Sequence, residues 1–334
     1  MIATRVLLAP LALAAGLLVV GCERPAADAA RAAPRAEPRA ERPTIPEPRP
    51  QPGEFERFVE PERDPVELQL TSVRVEETPE IDGDPGDNVW SRARTITTFD
   101  YSSQRAIVLR SVHTDRELFL LASYRDDAPS ETHKTWQWDE TEAVYKQMLD
   151  REDMLVLKWS LTGNDAHLAF RDAEPHRADV WFWKAHRTNP TGFADDKLQL
   201  LSVEPSRRAK PVSSPRFGEL YLQRLGDAGR PAYEERFFFE SRGRFAAKYY
   251  PQIPEGSRGD IRAKGVWSQG HWTIELARLF DTGHDDDVRF EPGGSYLFAA
   301  ACYEMAAGKV QSEFHQPLYR TGDAYDRLIL RIPE

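Results

Sequence analysis

From residue 66 onward the chain is written in short alternations of apolar and polar positions. Val66 to Val73, Leu118 to Tyr124, Met154 to Trp159, Asp179 to Trp183, Leu198 to Val203, Glu219 to Leu222, Tyr296 to Cys302 and Arg327 to Ile332 are separated by Gly, Pro, Asp and Asn breaks. Short runs at that spacing predict the strands of a sandwich or barrel. Val266-Trp-Ser-Gln-Gly-His-Trp-Thr-Ile274 reads as a hairpin with Ser268 to Gly270 in its turn. Helical patterning is confined to Glu140 to Leu149 and a single turn over Glu275 to Phe280, and no repeat of solenoid period occurs. The expectation is an all-β fold over residues 66–334: a single antiparallel β-sandwich with long loops and a few short helices. A stretch of that length can bury one substantial core.

The first 65 residues follow other rules. Arg5 precedes an apolar run from Val6 to Val20 that is broken only by Pro10 and Gly16. Roughly 20 apolar residues are needed to span a bilayer, so this run is sized for a signal-peptide core instead. Val19-Val20-Gly21-Cys22 reads as a lipobox, which predicts a signal peptide over 1–21 and acylation of Cys22 with palmitate-like chains. Each buried CH₂ contributes about 0.8 kcal/mol, and stable anchoring takes more than one chain. Residues 22–65 are mostly Ala, Pro, Arg and Glu and hold ten of the chain's 25 prolines. So few apolar side chains cannot offset ordering entropy, and a disordered tether is expected. At about 3.1 Å per residue in polyproline II, it could hold the domain as far as about 130 Å from the membrane. The expected location is the cell envelope, in the periplasm or beyond. Glu23, where an Asp would favour inner-membrane retention, tips the choice toward the outer membrane.

A formal net charge of −10 argues against nucleic acid as a partner, because that binding relies on clustered Lys and Arg. Cys22 and Cys302 are the only cysteines. With the first consumed by lipid no intramolecular disulfide forms, and Cys302, in an apolar run, reads as a buried inert thiol. C-x-x-C-H is absent, which excludes covalently attached haem. The chain also has no G-x-S-x-G, no H-E-x-x-H, no phosphate-cradling loop and no dinucleotide fingerprint, so it does not read as an enzyme. Gly283-His-Asp-Asp-Asp287 reads as a solvated turn, with no second ligand cluster in the sequence to make it a metal site.

Three stretches carry a resemblance. Ile81-Asp-Gly-Asp-Pro-Gly-Asp-Asn-Val-Trp90 is a turn sequence followed by two apolar anchors, and its aspartates lack the alternation of an EF-hand. It resembles the opening of carbohydrate-binding family 9-like and DOMON-like sandwiches. Ala178-Asp-Val-Trp-Phe-Trp-Lys-Ala-His-Arg-Thr-Asn-Pro-Thr-Gly-Phe-Ala-Asp-Asp196 is similar to a segment of the ethylbenzene dehydrogenase γ-subunit-like haem-binding domains. Gly270-His-Trp-Thr-Ile-Glu-Leu-Ala-Arg278 resembles a strand of both groups, and the likeness runs from Leu70 to Pro333.

The γ-subunit resemblance implies haem b held without covalent bonds, electron transfer, and a redox protein as partner. It implies axial ligation by a Met before the tryptophan strand and a Lys near the C-terminus. No Met lies between Ser160 and Ala178, so His167 and His176 are candidate replacements, with Met154 further upstream. Lys309, after Ala307-Gly308, best matches the family lysine, and His315 is a second option. Trp181 and Trp183 share a strand face and are candidate pocket walls. Arg187 is a candidate partner for a propionate, with Asp195 or Asp196 as its internal alternative. The alternative function is a family 9-like module that binds a glycan or cell-surface polymer without haem, through Trp136 and Trp138.

Overall fold

The computed structural model describes residues 66–100, 103, 105–168, 174–303 and 326–334. The leader and Cys22, the tether, Lys309 and His315 lie outside them. Two large sheets face each other. The larger has the spatial order β1 (Glu67–Thr71), β19 (Arg327–Arg331), β18 (Ser295–Tyr303), β8 (Met154–Ser160), β9 (His176–Lys184), β10 (Asp195–Ser202), β12 (Gly218–Gly226) and β11 (Lys210–Ser214). The other runs β16 (Arg262–Ser268), β17 (His271–Leu279), β5 (Glu117–Arg125), β4 (Arg105–His113). Along the outer edge of β4 lie β3 (Thr95–Asp100) and β2 (Val73–Arg74). Two small sheets complete the described strands: β14 (Phe245–Ala246), β6 (Trp136–Asp139) and β7 (Val144–Gln147) in one, β13 (Tyr233–Glu235) and β15 (Tyr249–Pro251) in the other. The pairs are antiparallel except β1 with β19 and β2 with β4. The result is the all-β sandwich that the alternation predicts.

Period-2 geometry sorts the core. Leu155, Leu157 and Trp159 of β8, with Trp181 and Trp183 of β9, meet Leu118, Leu120, Tyr124, Trp272 and Ile274 between the sheets. The opposite faces are covered as well. Met154 and Val156 of β8 join Val180, Phe182, Leu297 and Ala301 on the outer face of the larger sheet. Phe119 and Leu121 of β5 are covered by Val89 and Trp90. The strands most completely buried are therefore those that read as near-continuous apolar runs.

The Ser268–Gly270 turn forms as expected, with Gln269 (φ 50°) and Gly270 (φ 80°) both in the left-handed region that matches the twist of a tight hairpin. Both expected helical stretches are corrected. Residues 140–149 form a turn and then β7, where Asp139 accepts from the backbone of Thr141 and Glu142 and tightens a hairpin. Glu275 to Leu279 continue β17, because pairing with β5 overrides local helical preference. The short α-helix instead covers Asn88–Arg92 and delivers Trp90 to the core.

That helix shows why two of the resemblance motifs belong together. Glu275 is fully buried and accepts from Trp90 Nε1 at 2.7 Å through one oxygen. Its other oxygen accepts from Asp82 N at 3.0 Å and Gly83 N at 2.8 Å. Gly83 has φ 87°, and a Cβ there would lie 2.7 Å from Val266 Cγ2 and 3.0 Å from Val266 N. Gly83→Ala combines left-handed strain with a clash, so it should cost about 2 kcal/mol or more in urea denaturation. A loss below about 0.5 kcal/mol would show that the turn relaxes freely.

Candidate functional site

The outer face of the larger sheet carries a floor of mostly apolar side chains that is itself buried. Cross-strand register sets Ala301 beside Val156, Val156 beside Phe182, Ala299 beside Lys158, and Lys158 beside Val180. Small apolar side chains thus occupy adjoining strands, and all are buried. Met154 stands at one end, between Tyr303 and Lys184 in register. His176 and Gln199 close the other end. Lys158 sits within the floor, fully buried, with its Nζ donating to the Leu168 carbonyl at 2.5 Å. The cationic groups of Lys184 and Arg224 lie 4.5 Å and 5.6 Å from the Phe182 ring centroid.

The candidate ligands meet this face differently. Met154 is fully buried in its cluster. His176 is buried on it too, but its Nδ1 contacts the Glu174 carbonyl at 3.0 Å and its Nε2 contacts Gln199 Nε2 at 3.1 Å, so both ring nitrogens are engaged. Burial, reinforced by the Lys158 charge, pushes His176 down to about 3 and keeps it neutral. His167 is exposed, although Ala166 and Leu168 on either side are buried in the same cluster. Its ring therefore turns away from the floor.

The tryptophan pair faces the other way. Trp181 and Trp183 are core side chains between the sheets: Trp181 meets Trp159 with centroids 5.1 Å apart, and Trp183 meets Trp272 at 4.9 Å. They do not wall an open pocket. Arg187 takes neither Asp195 nor Asp196. Its partner is Glu152, a fully buried carboxylate that also accepts from the backbone N–H groups of His186 and Arg187. Burial opposes the Arg187 charge, but Glu152 overcomes it and holds the guanidinium above its usual range. Tyr233 and Tyr249 flank it, each 5.3 Å from the guanidinium carbon.

The rest of the middle motif locks the chain end of β9. Asn189 Oδ1 accepts from Trp183 Nε1 and Gly265 N, and its amide donates to the Gly265 carbonyl at 2.9 Å. Lys184 Nζ lies 2.5 Å from Asp195 Oδ2, with Lys197 and Arg258 on the same carboxylate. Burial alone would raise Asp195, but these three cations hold it below the usual carboxylate range. Burial pulls Lys184 down to about 8 despite Asp195.

Trp136 and Trp138 are half-buried among other rings. Trp136 Nε1 donates to the Arg236 carbonyl, its ring lies 5.8 Å from Phe237, and Lys248 Nζ stands 4.6 Å from it. Trp138 meets Tyr145 edge-on at 5.0 Å.

Lys158 and Glu152 lie in no motif, and Asp179 and Asp287, though inside stretches the sequence singles out, are not marked there as inward carboxylates. Strand parity was the available signal. Asp179 falls on the Trp181 face and Lys158 on the Met154 face, and a charge on a core-facing position marks a structural or binding role.

Fold and face together define a β-sandwich binding domain. The ethylbenzene dehydrogenase family matches residues 69–313, and the chain belongs to that family. Among curated proteins none matches it. Similar solved structures include a carbohydrate binding module family 9 from Caldicellulosiruptor kristjanssonii in complex with glucose. It is 9% identical, covers 79% of this chain and 95% of that one, and has a TM-score of 0.37. A putative carbohydrate-binding protein from Bacteroides uniformis is 10% identical over 80% of this chain and 100% of that one, with a TM-score of 0.36.

Proposed function

We propose that the chain is a non-catalytic, haem-b-binding electron-transfer domain, held in the cell envelope by a lipid on Cys22. The observation that carries this reading is the position of Met154. A buried thioether stands at the end of a floor of small apolar side chains, beside Tyr303, the last residue of β18. Lys309, the second ligand type implied by the resemblance, follows Tyr303 by six residues in the sequence and lies outside the described residues. The donor set and the floor suit a flat apolar ring. Haem, when bound, supplies one-electron redox chemistry. The chain's own side chains supply the sulfur ligand, exclude water over Val156, Val180 and Ala299, and place the positive charge of Lys158 within the floor.

The test is the visible spectrum of the mature chain purified from a haem-competent host. A Soret band that moves on reduction is expected. A colourless protein with full strand content would overturn the reading. Cys22→Ala should move the protein from the membrane to the soluble fraction, and continued membrane association would remove the lipid anchor from the proposal.

A further inference from the structure

A second feature lies between the sheets, away from Met154. Asp179 of β9, Asp196 of β10 and Asp287, from the loop before β18, bring carboxylate oxygens within 4.8 Å of one another. Asp287 was expected in a solvated turn, but its side chain is turned inward and only 2% exposed. Asp227, just past the end of β12, adds its charge to the same group and is itself buried. The one guanidinium in contact is Arg278, whose Nη1 is 2.5 Å from Asp179 Oδ2 and 3.7 Å from Asp287 Oδ1. Arg258 also acts on Asp227, so four carboxyl groups face two guanidiniums in a buried place and favour either shared protons or a further cation.

The hydrogen bonding is lopsided in a telling way. Asp179 spends Oδ2 on Arg278, on Val288 N and on Trp181 Nε1. Asp196 spends Oδ1 on Lys197 N, and Asp287 spends Oδ2 on Thr282. The second oxygens of Asp179 and Asp287, both Oδ1, find no hydrogen-bond donor, and the Asp196 and Asp227 carboxyl groups have only each other, close enough to share a proton. Asp179 and Asp196 are completely buried, where an unpaired carboxylate oxygen is costly. Asp179, Asp196 and Asp287 are thus each fixed through one oxygen, with the other left for a further ligand.

We propose that Asp179, Asp196, Asp227 and Asp287 form a binding site for one hard divalent cation, Ca²⁺ by preference. All the donors are oxygen, which suits Ca²⁺, Mg²⁺ or Mn²⁺ rather than metals that prefer nitrogen or sulfur. Ca²⁺ accepts irregular sets of six to eight oxygens, and Arg278 leaves this set too irregular for the strict octahedron of Mg²⁺. A dication would also relieve the repulsion that, with burial, pushes Asp227 up to about 8 and Asp287 up to about 7. The ion would tie β9, β10, the end of β12 and the loop before β18 together, pinning one end of the sandwich.

The experiment uses the full chain stripped with EDTA and dialysed. Calcium chloride titrated at pH 7.5 should bind once per chain and raise Tm by roughly 5 °C at saturation. Because several of these carboxylates hold protons without the ion, binding should release protons, read as a heat that changes with the buffer's ionisation enthalpy. Asp227→Asn should weaken binding at least tenfold. The proposal is overturned by titrations of Ca²⁺, Mg²⁺ and Mn²⁺ that give neither heat nor a shift in Tm, which would leave shared protons as the cluster's state. Native affinity in Asp227→Asn would also overturn it. If that variant does not fold, the native chain decides: one ion bound per chain with a rise in Tm supports the site, and the absence of both overturns it.

Discussion

Asp195→Asn should cost about 3 kcal/mol or more of folding stability at pH 7, because three cations converge on that carboxylate. Removing one partner of a buried ion pair leaves an uncompensated charge, and such losses run to about 3–5 kcal/mol. Here the stranded group is Lys184, which is 1% exposed. Its escape is to lose its proton, which it already does at about 8 in the native protein. The sign then follows. Between about 8 and the usual lysine value near 10.4 the unfolded chain holds a proton that the folded chain has released, so this group makes stability rise with pH. In the variant Lys184 lacks the Asp195 charge and releases its proton at lower pH still. The deficit relative to the native protein should therefore be largest at pH 7 and shrink at pH 9. Asp195 contributes with the same sign in a lower pH window. Its folded value is depressed, so its stabilisation is complete above about pH 4 and is lost on acidification. Urea denaturation at the two pH values decides the matter. A loss below 1 kcal/mol, or one that grows with pH, would mean that Lys197 and Arg258 dominate the cluster.

What the sequence makes legible is the parity of its strands. Alternation alone places Trp181 and Trp183 on one face and Val180 and Phe182 on the other, and the structure keeps that division. The hairpin at Gln269-Gly270 is legible for the same local reason, since two residues at positive φ are what a tight turn requires. The stretch from residue 140 to 149 misleads because its Glu, Lys and Gln favour helix, while pairing with β6, which is distant information, makes it a strand. The motifs mislead in another way. They suggest pocket walls at Trp181 and Trp183 and a propionate partner at Arg187, yet most of their polar residues bond to each other. Glu275 ties Trp90 to the Asp82-Gly83 turn, Asn189 ties Trp183 to Gly265, and Arg278 pairs with Asp179. A buried side chain that recurs in a family pattern can be satisfied wholly within the fold. The outer face of the larger sheet, by contrast, draws Val180 and Phe182 from the middle motif but Met154, Val156, Lys158, Ala299 and Ala301 from strands that no motif marks.

Met154→Leu separates the role of sulfur from that of shape. Leucine nearly matches methionine in volume, and such exchanges usually cost below about 1.5 kcal/mol, so the β8 floor should stay intact. What disappears is the thioether. If haem is bound as proposed, the visible spectrum of the reduced chain should change and the midpoint potential should fall, since methionine ligation raises it. Val180→Ala is the matched control. It removes buried carbon from the same face, with a stability loss of about 1–2 kcal/mol, but no donor atom. It should keep the native spectrum. If Met154→Leu leaves spectrum and potential unchanged while Val180→Ala weakens haem retention, the floor holds the ring but the sulfur does not touch the iron. The ligand would then have to come from His176, and only by giving up its contact with Gln199. That exchange has its own signature, because freeing a neutral imidazole from a buried contact would make haem affinity sensitive to Gln199→Ala. The two substitutions together therefore assign the ligand on this face: sensitivity to Met154→Leu alone selects the sulfur, and sensitivity to Gln199→Ala alone selects the imidazole.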